Sequence, residues 1–175
     1  MAESFEGDVN LTPQLQLAIR MLQGNHGEML EWIQEALRSN PALRWRQPVT
    51  VATADAEVRL GETGELSLTL ADEGELSVVA SADDSERRTA EWLVSAAARR
   101  RRSIERLMEA LMAHQRAFLS GQEAAPEELS HRVVAAELGY HASTIERLLQ
   151  GKCLRILRPG ASPIEIEIAS LAGTD

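Results

Sequence analysis

Residues 127–150 read EELSHRVVAAELGYHASTIERLLQ, and their spacing predicts two short helices joined by a sharp turn. The first would cover 127–138 and the second 142–150. Ala135 is small where two such helices cross, and Gly139 supplies the positive backbone angle that a tight turn favours. Ile145 and Leu148 would point the second helix back into a core. Two readings fit these residues: an ordinary helical hairpin, and a helix-turn-helix that reads nucleic acid. The exposed side of the second helix would offer His141, Ser143, Thr144, Glu146 and Arg147, with Lys152 and Arg155 just beyond. Arg147 can present two donors to a guanine edge, and Ser143 or Thr144 can reach a base or phosphate near the helix N-terminus. Ser143 serves equally well as a cap. Gly151 would end the helix and let Lys152 approach a nucleic-acid backbone.

Upstream, a helical pattern runs from Ser85 for about 35 residues, roughly 50 Å at the usual rise. Leu93, Ala97, Arg100, Ile104, Leu107, Leu111 and Phe118 form a near-heptad stripe, widened by Trp92, Met108 and Met112. Arg99 to Arg102 interrupt it. They read either as a solvated collar with their stems along a neighbour or as an anion-facing group. Asp83-Asp84 suits the start of this helix, where negative charge is favourable. Ser120-Gly121 ends it.

The front of the chain predicts a helical hairpin. Thr12 can cap a helix with Pro13 in its first position, and Leu15, Ile19 and Leu22 follow at helical spacing, with Leu17 and Met21 widening the stripe. Gly24-Asn25 breaks it. A second helix, about 26–39, carries Leu30, Ile33 and Leu37 on one face until Asn40-Pro41 stops it. These faces are too narrow to be stable alone. Pro48 and the Ala/Thr/Asp stretch after it read as linker. The alternating run 65–70, the Asp72-Glu73-Gly74 turn and the alternating run 75–79 predict a β-hairpin. The expected fold is mainly α: an N-terminal helical hairpin, a small β-hairpin, one long helix and a helix-turn-helix. The expected units are 1–47, 48–84, 85–122 and 123–175, the last including an extended C-terminal segment.

Of the 175 residues, 27 are acidic and 18 basic, for a formal charge of -9. The charge is uneven. Residues 1–86 hold 16 acidic and 5 basic side chains, while 87–158 hold 8 acidic and 13 basic. A negative front and a basic back suit different partners, or each other. No run of eighteen apolar residues exists, which leaves no expected membrane span, and the acidic N-terminus lacks a signal core. The expected compartment is the cytoplasm. A lone cysteine, Cys153, forms no internal disulfide. His26, His114, His131 and His141 lack metal-ligand spacing, and no phosphate-binding GxxxxGK loop occurs. No enzyme, cofactor or metal is expected.

The stretch 11–23, LTPQLQLAIRMLQ, resembles the N-terminal regulatory region of the sigma-54 family of bacterial RNA polymerase factors, and 37–43, LRSNPAL, resembles the end of that region. Downstream, Trp92-Leu93 with Gln115 to Leu119 resembles the family's extra-long helix. His141 to Arg147 resembles its HxSTxxR recognition helix, with Ala142 at a position commonly acidic. Leu157 to Gly160, followed by Ile164 to Ile168, resembles the extended strand after it.

The resemblance implies a transcription initiation factor that binds promoter DNA near the minus-12 element, associates with RNA polymerase core, and answers to an ATP-driven activator. It implies that Leu15, Leu17, Ile19 and Leu22 pack on the long helix and present the activator surface, with Gln14, Gln16 and Gln23 matching a glutamine-rich pattern. Arg147 becomes the main reader. It also implies a short family member, without most of the helical core-binding lobe and without the C-terminal domain that reads the minus-24 element. The alternative is an interaction module that does not bind DNA, or a competitor that modulates a full-length sigma-54 factor or its activator.

Overall fold

The computed structural model describes residues 12–50, 52–80 and 83–173. Leu11 and the acidic stretch before it, Val51 of the expected linker, and residues 81–82 and 174–175 lie outside the described residues. Helix α1 (Pro13–Gln23) begins as its sequence dictates: the Thr12 hydroxyl accepts from the Leu15 amide at 3.3 Å, and Pro13 has no amide proton to leave unpaired. Helix α2 (His26–Ser39) opens on a reciprocal capping box. The Glu28 amide donates to the Asn25 side chain at 3.0 Å, and the Asn25 amide donates to the Glu28 carboxylate at 2.9 Å. Gly24 joins the two helices with the Trp32 ring so close that a Cβ would fall 2.4 Å from it.

Four strands follow: β1 (Leu43–Arg46), β2 (Ala56–Leu60), β3 (Leu66–Leu70) and β4 (Glu75–Val78). The expected hairpin between β3 and β4 does not form. β3 pairs back onto β2, and β4 pairs antiparallel with β1 as a separate two-stranded ribbon. The reason lies in the turn between β3 and β4. The Glu73 carboxylate is held by Arg100, the Glu73 carbonyl accepts from Trp45 Nε1 at 2.9 Å, and the Ala71 carbonyl accepts from Arg101 at 2.9 Å. Those anchors carry the chain from one sheet to the other. Gly74 (φ 74) completes the passage, since a Cβ there would lie 2.3 Å from the Arg46 carbonyl oxygen. The expected linker is also partly strand: β2 is interior to the larger sheet.

The long helix α3 (Asp84–His114) is capped by Asp83, whose carboxylate accepts from the Ser85 amide at 2.7 Å. It stops short of the expected length. Buried Gln115 interrupts it, donating to the Glu127 and Leu171 carbonyls and accepting from the Glu127 amide, all within 2.8 Å. A short α4 (Arg116–Ser120), which carries Phe118, then ends at left-handed Gly121. Helices α5 (His131–Leu138) and α6 (Ala142–Leu149) follow, then β5 (Cys153–Leu157), β6 (Ile164–Glu167) and a 3-10 turn (Ile168–Leu171). α5 starts later than expected because Ser130 is its cap.

The larger sheet has the order β3-β2-β5-β6, with β2 and β5 parallel. Its inner face, with Ala56, Val58, Leu154 and Ile156, packs on Ile104, Leu107, Met108 and Leu111 of α3 and on Val134, Ile145 and Leu148 of α5 and α6. Full burial of such side chains contributes about 1.5–3 kcal/mol each. Toward the other end of α3, Ala96 meets Met21, Met29 and Ile33 of the α1–α2 hairpin, and Ala90 meets Ala42 and Leu43. The long helix is therefore the surface on which the otherwise marginal hairpin rests. Among the described residues, no helix is long and apolar enough to cross a membrane.

Candidate nucleic-acid interface

The α5–α6 turn is built around Gly139, with φ 69 and the Tyr140 amide bonded to the Ala135 carbonyl at 2.8 Å. Nothing lies within 4 Å of where a Cβ would stand, so glycine is required by conformation and not by space. Tyr140 ties the turn to α3. The Arg106 guanidinium lies 5.2 Å from the ring centroid, donates to the Tyr140 hydroxyl at 3.2 Å and to the Leu138 carbonyl at 3.1 Å, and the Ser103 hydroxyl is 3.3 Å from that of Tyr140. His114 and Glu137, 2.7 Å apart, form a second tie between α3 and α5.

α6 buries Ile145, Leu148 and Leu149. Ser143, Arg147 and Gln150 follow at i, i+4 and i+7 on the side away from that core. His141, Ser143 and Glu146 are exposed, while Thr144 and Arg147 are half-buried. His141 occupies the N-cap without a side-chain hydrogen bond, so the expected alternative role of Ser143 as the cap is not realised. Among the described residues, Arg147 has no hydrogen-bond or ion-pair partner. Thr144 turns toward α1 and α3, where it lines a cleft of about 210 Å³ with Ala18, Leu22, Ala96, Arg99 and Ser103. Gln150, which sequence reasoning missed, meets Gln23 of α1 at 3.4 Å.

Two expected contact residues lie elsewhere. Lys152 is 1% exposed, and its ammonium donates to the carbonyls of Leu22 at 2.8 Å, Gln23 at 3.1 Å and Gln150 at 3.4 Å. It closes the C-terminal end of α1 instead of approaching a surface ligand. Burial, reinforced by the Arg100 charge and opposed by Asp55, Glu28 and Glu73, lowers its pKa to about 8. Arg155 lies on the outer face of the larger sheet, paired in register with Glu57 on one side and Glu165 on the other. The alternation along β5 sends it away from the core face, where Leu154 and Ile156 pack against α6 and its neighbours.

The four consecutive arginines divide. Arg100 is 3% exposed and donates to the Met21 carbonyl at 2.5 Å, to the Gly24 carbonyl at 2.7 Å and to the Glu73 carboxylate. Its place in the apolar stripe was the sequence signal for this burial. Arg99, Arg101 and Arg102 stay exposed. Asp55, also missed, joins the two halves: its carboxylate accepts from the His26 amide at 2.5 Å and the Cys153 amide at 2.8 Å.

On α1 the expected regulatory residues separate. Gln14 and Gln16 are exposed, and Leu15 is 47% exposed instead of packing on the long helix. Leu17 packs with the Met21, Met29 and Ile33 cluster, Leu22 packs against the main core, and Ile19 is half-buried.

Comparison with known proteins bears on both halves. Residues 7–45 match the sigma-54 factor activator interacting domain, and residues 81–162 match the sigma-54 DNA binding domain. No curated protein matches the chain. A crystal structure of Aquifex aeolicus sigmaN bound to promoter DNA is similar at 20% identity and a TM-score of 0.48, over 91% of this chain and 57% of that one. The chain thus spans little more than half the length of that relative. With two separate parts of one family matched in order along it, the chain belongs to the sigma-54 family.

Proposed function

We propose that the protein is a sigma-54-type transcription factor in which α6 lies on promoter DNA near the minus-12 element. In this reading α1 and α2 form the regulatory unit that an ATP-driven activator engages. RNA polymerase core is the assembly in which both act, and the whole works by binding, without catalysis. His141, Ser143, Glu146 and Arg147 make up the reading surface, with Thr144 at its edge toward α1 and α3, and Gln14, Leu15 and Ile19 the surface open to the activator. Lys152 and Arg155 take no part in the reading surface.

The observation that supports this reading most is the junction of the two matched regions. The last turn of α1, inside the activator-interacting match, is held by Arg100 and Lys152, and Lys152 also binds the end of α6. A force applied to α1 therefore reaches the helix that carries Arg147. Arg147, half-buried and without a hydrogen-bond or ion-pair partner among the described residues, suits a bidentate base contact.

The test is retention of the intact chain on fork-junction duplex carrying a minus-12-type element, with and without polymerase core. Binding to the duplex that strengthens with core is expected. If the chain fails to hold the duplex in low salt yet still captures the activator, the competitor reading replaces this one.

A further inference from the structure

The arginine run is only partly used by the fold. Arg100 is buried, and Arg101 reaches across to the Ala71 carbonyl. Arg99, Arg102 and Arg106 remain exposed, at i, i+3 and i+7, which places them on one stripe of α3. Arg99 is steadied by the Ser95 hydroxyl at 2.8 Å, and Arg106 by Tyr140 and Leu138. Arg102 has no hydrogen-bond or ion-pair partner among the described residues, and no ion pair joins the three to Glu105 or Glu109 of the same helix.

The stripe borders the start of α6. Arg99 shares the cleft with Thr144, and Arg106 covers Tyr140, one residue before the N-cap. Seven residues of helix rise about 10.5 Å. A duplex strand carries one phosphate about every 3.4 Å of its axis, so a stripe of this length runs past more than one of them.

We propose that Arg99, Arg102 and Arg106 form a phosphate track, against which one DNA strand lies while α6 engages the adjoining base edges. This rests on the function proposed above and adds a sequence-independent component to it. An acidic polypeptide would answer the charge, but the place of the stripe beside the start of α6 favours a nucleic-acid backbone.

The test is the salt dependence of binding by the full chain to a minus-12-type fork duplex and to a scrambled duplex, for the unaltered protein and for Arg99→Gln/Arg102→Gln. Arg106 is left intact because it anchors Tyr140, and an unchanged melting temperature confirms that the double variant folds. Neutralising two phosphate contacts lowers the magnitude of the log Kd against log salt slope by about 2, on both duplexes alike. Equal slopes in the two proteins overturn the track while leaving the function reading intact. A loss confined to one sequence also overturns it. If the unaltered chain binds neither duplex in low salt, the function reading falls, and the track falls with it.

Discussion

Arg100 and Lys152 grip the same end of α1: the guanidinium takes the Met21 and Gly24 carbonyls, and the ammonium takes those of Leu22 and Gln23. The last carbonyls of a helix have no partner within it and carry the negative end of its dipole. Two buried cations supply what that end lacks. They come from α3 and from the segment entering β5, so the α1–α2 hairpin and the half that carries α5 and α6 share one electrostatic joint.

Removing Arg100 leaves the Glu73 carboxylate and two carbonyls buried without their donor. Arg100→Gln is expected to cost about 3–5 kcal/mol, the range for breaking a buried ion pair from one side. Hydrogen exchange should accelerate first in α1, with the amides of α5 and α6 still protected. Urea unfolding and amide exchange together check both parts.

Lys152 gives the joint a pH signature. Its folded pKa of about 8 lies below the ordinary lysine value of 10.5, so between these values the unfolded chain binds more protons than the folded one. That base is therefore a destabilising charge below about pH 8, by about 3 kcal/mol, and the penalty lifts as pH rises toward 10.5. Relative to Lys152→Met, the unaltered protein should gain stability from pH 8 to pH 10. Denaturant titrations of both proteins across that window measure the difference. The Cys153 thiol, raised by burial, is common to both and cancels.

Much of the helical framework is legible in the sequence because its signals are local. Thr12-Pro13, Asp83, Gly121 and Gly139 each punctuate an element through their own backbone or side-chain chemistry. Strand partners are not local. β2 lies in a stretch with linker composition and becomes interior only when β5 arrives in parallel from far along the chain. β4 leaves β3 because Arg100, Arg101 and Trp45 restrain the turn between them. Lys152 shows the same limit at the candidate site. Beside Gly151 it reads as a surface lysine, and only the arrival of the α1 carbonyls makes its burial possible. His141, Ser143 and Glu146 were legible as exposed because the periodicity of α6 alone fixes their side.

The Gly139 turn has its own test. Alanine there must adopt φ near 69 in open space, so Gly139→Ala should cost about 1–2 kcal/mol through backbone conformation alone. In a chain of this size the melting temperature should fall by roughly 2–8 °C. Gly139→Asn, which tolerates the left-handed region better, should recover part of the loss.

Leu15 separates packing from recognition. At 47% exposure near the start of α1, its truncation to alanine should change stability by less than about 0.5 kcal/mol. If the activator docks on this surface, the same variant should bind it more weakly by about 1 kcal/mol or more. Titration with activator, set beside a melting curve, reads both.

The most direct test of the central claim is the affinity of the intact chain for a minus-12-type fork duplex, measured by fluorescence anisotropy for the unaltered protein and for Arg147→Ala. A loss of about 1–3 kcal/mol is predicted, the range for a bidentate base contact, with the preference for the minus-12 sequence relaxed. Equal affinities for the two proteins in low salt would contradict the assignment of α6 as the helix that reads DNA.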